Sequence, residues 1–94
     1  MCIRDSSSSV SNALFKTPQL ELMRLVLPCG KGMPEHSVPG AVTIQCLEGA
    51  IELHAHQSTQ TLRAGELVYL AGGEKHSLHA LEDSSVLLTL LLQH

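Results

Sequence analysis

The chain is 94 residues long with 44% hydrophobic residues, and 9 acidic against 6 basic side chains give it a formal net charge of -3. That length serves one compact domain with one core and is too short for two. The basic residues, Arg4, Lys16, Arg24, Lys31, Arg63 and Lys75, stand singly, so no patch can neutralise several phosphates and nucleic-acid binding is disfavoured. The longest apolar run, residues 86–92, is far below the ~18–20 residues needed to cross a bilayer. No basic segment precedes an apolar one near the N-terminus as a signal peptide requires. The expectation is a soluble cytoplasmic protein with no membrane partner.

In chain order, Met1-Cys2-Ile3-Arg4-Asp5-Ser6 resembles a translated sequencing adapter, and the serine-rich stretch after it is flexible in composition. Residues 1–18 are therefore read as a flexible, partly artefactual segment and residues 19–94 as the folded domain. An upstream strand or domain stays open. Cys2, Cys29 and Cys46 cannot form a closed disulfide set and none sits in a C-x-x-C pair, which fits a reducing compartment.

Leucine is abundant and aromatics are limited to Phe15 and Tyr69, a composition that by propensity leans toward helix. The punctuation argues otherwise. Pro18, Pro28, Gly30, Gly32, Pro34, Pro39, Gly40, Gly49, Gly65, Gly72 and Gly73 cut the chain into short apolar windows of strand length. Leu20–Leu27, between two prolines, is expected to be the first strand. Residues 42–47, 50–56 and 59–63 read as consecutive antiparallel strands, the middle one alternating Ile51, Leu53 and Ala55 with Glu52, His54 and His56. Strands follow at residues 67–71, 76–81 and 86–92. The last is apolar on both faces, so it is sandwiched between layers or covered by a partner subunit. Regular short strands with turn residues between them describe a β-sandwich or barrel.

Two glycine-bounded segments carry a family pattern. Gly30, His36 and Gly49 match G-x5-H-x-H-x3-E-x6-G, with Val38 at the second histidine and Val42 at the glutamate. Gly65, Gly73 and His76 match G-x5-P-x-G-x2-H-x3-N, with Ala71 at the proline and Ala80 at the asparagine. Both run without a gap, and on them the chain resembles the cupin superfamily. That resemblance implies an all-β fold, a single small jelly-roll β-barrel (double-stranded β-helix) with a cavity. It also implies, for metal-binding members, three histidines and a glutamate around iron, manganese, nickel or zinc. Here His36 and His76 are the retained metal-ligand candidates, while Val38 and Val42 carry no donor atom, and a non-haem iron site needs at least two histidines and a carboxylate. Glu35, Glu74, Cys29 and Cys46 are the candidates to complete it.

Other constellations weigh less. His54 and His56 fall on the strand face opposite Ile51, Leu53 and Ala55 and are expected to point away from the interior. His79 is out of phase with His76, and His94 is terminal. A Cys29–His36 dyad lacks a third group to orient the base. Tyr69 is expected to pack in the sheet. The leading functional expectation is a small binding or sensor module whose cavity, marked by His36 and His76, takes a small organic molecule. A metal-dependent oxygenase or isomerase using the same histidines is the alternative, and a regulatory barrel of a longer protein is the third. Residues 20–27 and 86–92 offer more dry surface than one small barrel covers, so a homodimer is expected.

Overall fold

The computed structural model describes residues 10–92, among which there is no helix. Its strands in chain order are β1 (Val10–Lys16), β2 (Leu20–Leu27), β3 (Gly32–His36), β4 (Val42–Glu48), β5 (Ala50–Ala55), β6 (Ser58–Arg63), β7 (Leu67–Leu70), β8 (His76–Ala80) and β9 (Ser84–Leu91). All pairings are antiparallel, in a five-stranded sheet ordered β1-β2-β9-β4-β7 and a four-stranded sheet ordered β3-β8-β5-β6. This is the expected all-β jelly roll, with the two sheets kept as separate ladders.

Period-two alternation explains the stacking. In β4, Val42, Ile44 and Cys46 are buried while Thr43 and Gln45 are half-buried; in β5, Ile51, Leu53 and Ala55 are buried and His54 is exposed. Register then gathers like with like. Ile44 lies opposite Leu88 of β9 and Val68 of β7, and Leu53 lies opposite Leu78 of β8. Leu27, Ile44, Ile51, Leu53, Leu70 and Val86 are fully buried, each stabilising the fold by about 1.5–3 kcal/mol. The core is aliphatic throughout. Phe15 and Tyr69 are both exposed, and the Thr43–Tyr69 pairing puts the Tyr69 ring on the outer face of the five-stranded sheet instead of packing it inside.

Three features depart from the sequence expectations. Of the consecutive pairs expected over residues 42–63 only β5–β6 forms, because β4 pairs with β7 and β9 while β5 pairs with β6 and β8. The chain changes sheets at Gly49. Its φ of 82° favours glycine, and a Cβ there would meet the Asp83 carbonyl oxygen and the Ser84 hydroxyl. The buried Ser84 hydroxyl seals this corner, accepting from the Ala50 N–H at 3.1 Å and facing the carbonyls of Ala50 and Glu82 at 3.0 and 2.7 Å.

The second and third departures are β1 and β3, for which no strand is expected from the pattern. Each carries a register shift, between Ala13 and Phe15 in β1 and between Met33 and His36 in β3. Such a bulge breaks the alternation from which a strand is read. Both are sheet edges, where Pro34 costs no ladder bond to a central neighbour.

β9 lies between β2 and β4 in the middle of the larger sheet. Val86, Leu88 and Leu90 face the core, opposite Cys46, Ile44 and Val42. Leu87, Thr89 and Leu91 therefore face outward.

Candidate functional site

The bulge in β3 sets His36 directly opposite His76, the first residue of β8. The loops flanking this point are tied together, since the Gly73 N–H donates to the Val38 carbonyl at 2.8 Å. The two motif segments thus meet at one end of the sandwich. His36 and His76 have ring centroids 4.4 Å apart and planes tilted by 56°. His76 is buried at 4% exposure and His36 is half-buried.

Each ring is oriented by the backbone two residues before it. His36 Nδ1 donates to the Pro34 carbonyl at 2.9 Å, and His76 Nδ1 donates to the Glu74 carbonyl at 2.9 Å. A carbonyl only accepts, so the neutral rings carry their proton on Nδ1 and leave the Nε2 lone pair as the acceptor. No hydrogen bond to either Nε2 occurs among the described residues, and no buried side-chain polar atom there lacks a partner. Both Nε2 atoms therefore lie where a visiting molecule or water can reach them. A carbonyl clamp on Nδ1 is also how ligating histidines are held.

The surrounding donors do not complete a metal centre. Val42 is 3% exposed, between Leu70 and Leu90 on its neighbours, Val38 packs against the core, and Ala80 is fully buried. Cys46 is on the same face as Val42 but at the far end of β4. Its thiol donates to the Glu48 carbonyl at 3.3 Å, and burial, with the Glu66 and Glu82 carboxylates adding to it, pushes its pKa up. It is a core filler. Glu74 turns to the outer side, 3.3 Å from His56 Nδ1. No three His, Cys, Asp or Glu side chains among the described residues are placed to hold an ion. Two imidazoles in apolar surroundings fall short of the three donors a protein metal site uses.

The remaining candidates separate as follows. Cys29, expected as an unpaired thiol, is disulfide-bonded and sits at the opposite end of β3, where the neighbouring Gly30 N–H reaches the Ala80 carbonyl at 2.9 Å and the Cys29 N–H reaches Asp83 Oδ1 at 2.9 Å, so it forms no dyad with His36. His54 is exposed on the outer face and hydrogen-bonded to the Thr59 hydroxyl at 2.7 Å. His79 is exposed on that same outer face, opposite Glu52. His56 lies in the β5–β6 turn, not in the strand, and it and Gln57 have φ of 54° and 60°. His94 lies outside the described residues. The orienting carbonyls of Pro34 and Glu74 had no sequence signal, because every residue carries a carbonyl.

No protein-family model and no curated protein matches the chain. Solved structures do. A cupin superfamily protein from Desulfitobacterium hafniense superposes with a TM-score of 0.89 at 14% identity, covering 99% of this chain and 84% of its own. An RmlC-like cupin from Desulfovibrio desulfuricans gives 0.83 at 21% identity over 96% and 89%. Salicylate 1,2-dioxygenase from Pseudoaminobacter salicylatoxidans, as a G106A mutant, gives 0.79 at 18% identity over 87% of this chain and 26% of that enzyme. With two facing antiparallel sheets, four motif glycines (Gly30, Gly49, Gly65, Gly73) all at positive φ, and these neighbours, the chain has the cupin fold.

Proposed function

We propose that the chain is a small cupin-fold binding module that takes a small organic molecule at the His36–His76 pair. The observation that supports this is the double clamp on Nδ1, which leaves Nε2 as the acceptor on each of two adjacent rings, centroids 4.4 Å apart, at the end of an aliphatic sandwich. The matching ligand has an O–H or N–H group to donate and an apolar body. Neutral imidazoles so held can also accept and return a proton, which is the catalytic capacity the pair has on its own. The metal-dependent oxygenase or isomerase reading needs a third donor, and Val38 and Val42 supply none. The test is a thermal-shift panel of small alcohols, phenols and amines on wild type and on His36→Ala/His76→Ala, with metal analysis of protein purified without a His-tag. Stabilisation by panel members that the double variant loses supports binding. Stoichiometric metal that the double variant loses would replace this reading with the enzyme.

The same chain is proposed to pair with a second copy through the outer face of the five-stranded sheet. Leu67, Tyr69 and Phe15 are 55–61% exposed there, joined by Leu22 and Leu87. The outer face of the other sheet is polar, with Glu52, His54, Thr61, Ser77 and His79. Five strands spaced about 4.8 Å apart and roughly 20 Å long present about 500 Å². Doubled across a two-fold axis, that reaches the ~1,000 Å² a specific interface needs. A dimer by light scattering that Tyr69→Lys/Leu67→Lys converts to monomer supports the contact; a monomeric wild type at about 50 µM would contradict it.

A further inference from the structure

A cavity of about 350 Å³ lies at the same end of the sandwich as the two motif histidines but is lined by neither of them. Its walls are the β1–β2 turn on one side and the loop before β4 on the other, with the last residues of β9 beneath. Pro18, Val38, Pro39, Leu90 and Leu91 supply the apolar surface, and Lys16 is the one charged side chain on its rim. The size falls within the ~300–1,000 Å³ of small-molecule sites.

The walls are fixed in place. Thr17 Oγ1 accepts from the Leu20 N–H at 3.0 Å and the Gln19 N–H at 3.2 Å, which locks the turn. The opposite loop is held by the Gly73 N–H on the Val38 carbonyl, and it sits so close to Gly72 that any Cβ there would collide with the Pro39 carbonyl oxygen. Below, the N–H groups of Leu91 and Leu92 are already spent on the carbonyls of Ala41 and Gln19, both at 2.9 and 2.8 Å. These side-chain and backbone polar groups are turned to each other, so the groove's lining is mostly carbon, with the Lys16 ammonium at its edge. Glu21 pairs with Lys16 across the strands but makes no ion pair with it among the described residues.

We propose that this groove binds an amphiphilic monocarboxylate, its apolar chain lying between Pro18 and Pro39 and its carboxylate at Lys16. A hydrophobic slot with a lone cation selects an anion over a neutral or cationic head, and an exposed pair of this kind is worth up to ~1 kcal/mol, which is about fivefold in affinity.

The test compares octanoate, octan-1-ol and octylammonium by amide-shift titration on the wild-type chain and on Lys16→Glu, Lys16→Arg and His36→Ala/His76→Ala. Lys16 is exposed, so none of its substitutions threatens the fold. Octanoate is expected to bind about fivefold more tightly than octanol in wild type, shifting the amides of Thr17, Val38, Gly40 and Leu91. Lys16→Arg keeps that order, Lys16→Glu reverses it in favour of octylammonium, and the histidine variant leaves it unchanged. Equal affinity for octanoate and octanol, an order that Lys16→Glu does not alter, no binding of any probe up to about 5 mM, or shifts confined to His36 and His76 would each overturn the proposal. The result for the histidine variant also separates this site from the one at the imidazole pair.

Discussion

Restoring Val38→His/Val42→Glu should create the metal site the fold lacks, at a cost the structure sets. Val42 is 3% exposed and sits between Leu70 and Leu90. Replacing it removes about 1.5–3 kcal/mol of apolar burial and leaves a carboxyl to be buried without a partner, about 1–3 kcal/mol more. The sum, about 2.5–6 kcal/mol, is a large part of a typical domain's stability of ~5–15 kcal/mol. It should lower Tm by at least about 10 °C in a chain of this size, at roughly 4–8 °C per kcal/mol. With His36 and His76 already adjacent, a divalent ion held by the completed set at 100-fold its Kd should return about 2.7 kcal/mol, a rise of roughly 10–20 °C. Differential scanning fluorimetry with manganese, nickel and zinc, reversed by chelator, reads this. A variant that folds by circular dichroism yet gains nothing from metal, or a wild type that gains as much, would refute the view that two valines are what separates this pair from a metal centre.

Gly49→Ala should destabilise by about 2–3 kcal/mol in urea melts with unchanged m, combining a left-handed φ with displacement of the Ser84 hydroxyl from its partners at Ala50. A change below about 0.5 kcal/mol would mean the corner adapts. Gln57→Gly should stabilise by about 0.5–1 kcal/mol, because the β5–β6 turn holds two non-glycine residues at positive φ; a loss of stability would show that the Gln57 side chain is needed. Cys46 is held above its unfolded pKa by burial, so its contribution is intact below the unfolded thiol value of about 8.5 and drains away as pH rises through the folded value. Urea midpoints between about pH 7 and 10 should fall more steeply for wild type than for Cys46→Ala, and parallel slopes would refute the assignment.

The central strands and the regular edges β6 and β7 were legible in the sequence, and the bulged edges β1 and β3 were not. β4, β5, β8 and β9 alternate or run apolar because they have neighbours on both sides and a buried face, and each was expected within a residue or two. β1 and β3 are bulged edges, and the bulge removes the alternation that reveals a strand. Pairing was legible only where a tight turn forces it, as between β5 and β6. Gly49 looks like a hairpin glycine in sequence, and its role as a corner depends on the Ser84 contact 35 residues away, which no local pattern encodes. At the site, the motif spacing located His36 and His76 and the outward direction of His54 and His79. It did not show that a backbone carbonyl fixes each ring, nor that His56 leaves the strand for a turn and pairs with Glu74.

The pair of Nε2 acceptors is most directly tested by long-range 1H–15N NMR of the histidine rings in their neutral form. Two rings assigned to His36 and His76 should show a protonated Nδ1 and a bare Nε2, and titration with a hydroxylic or phenolic ligand from the thermal-shift panel should move the Nε2 resonances of both. A proton on Nε2 in either ring, or ring signals that report a bound metal in untreated protein and revert on chelation, would contradict the account.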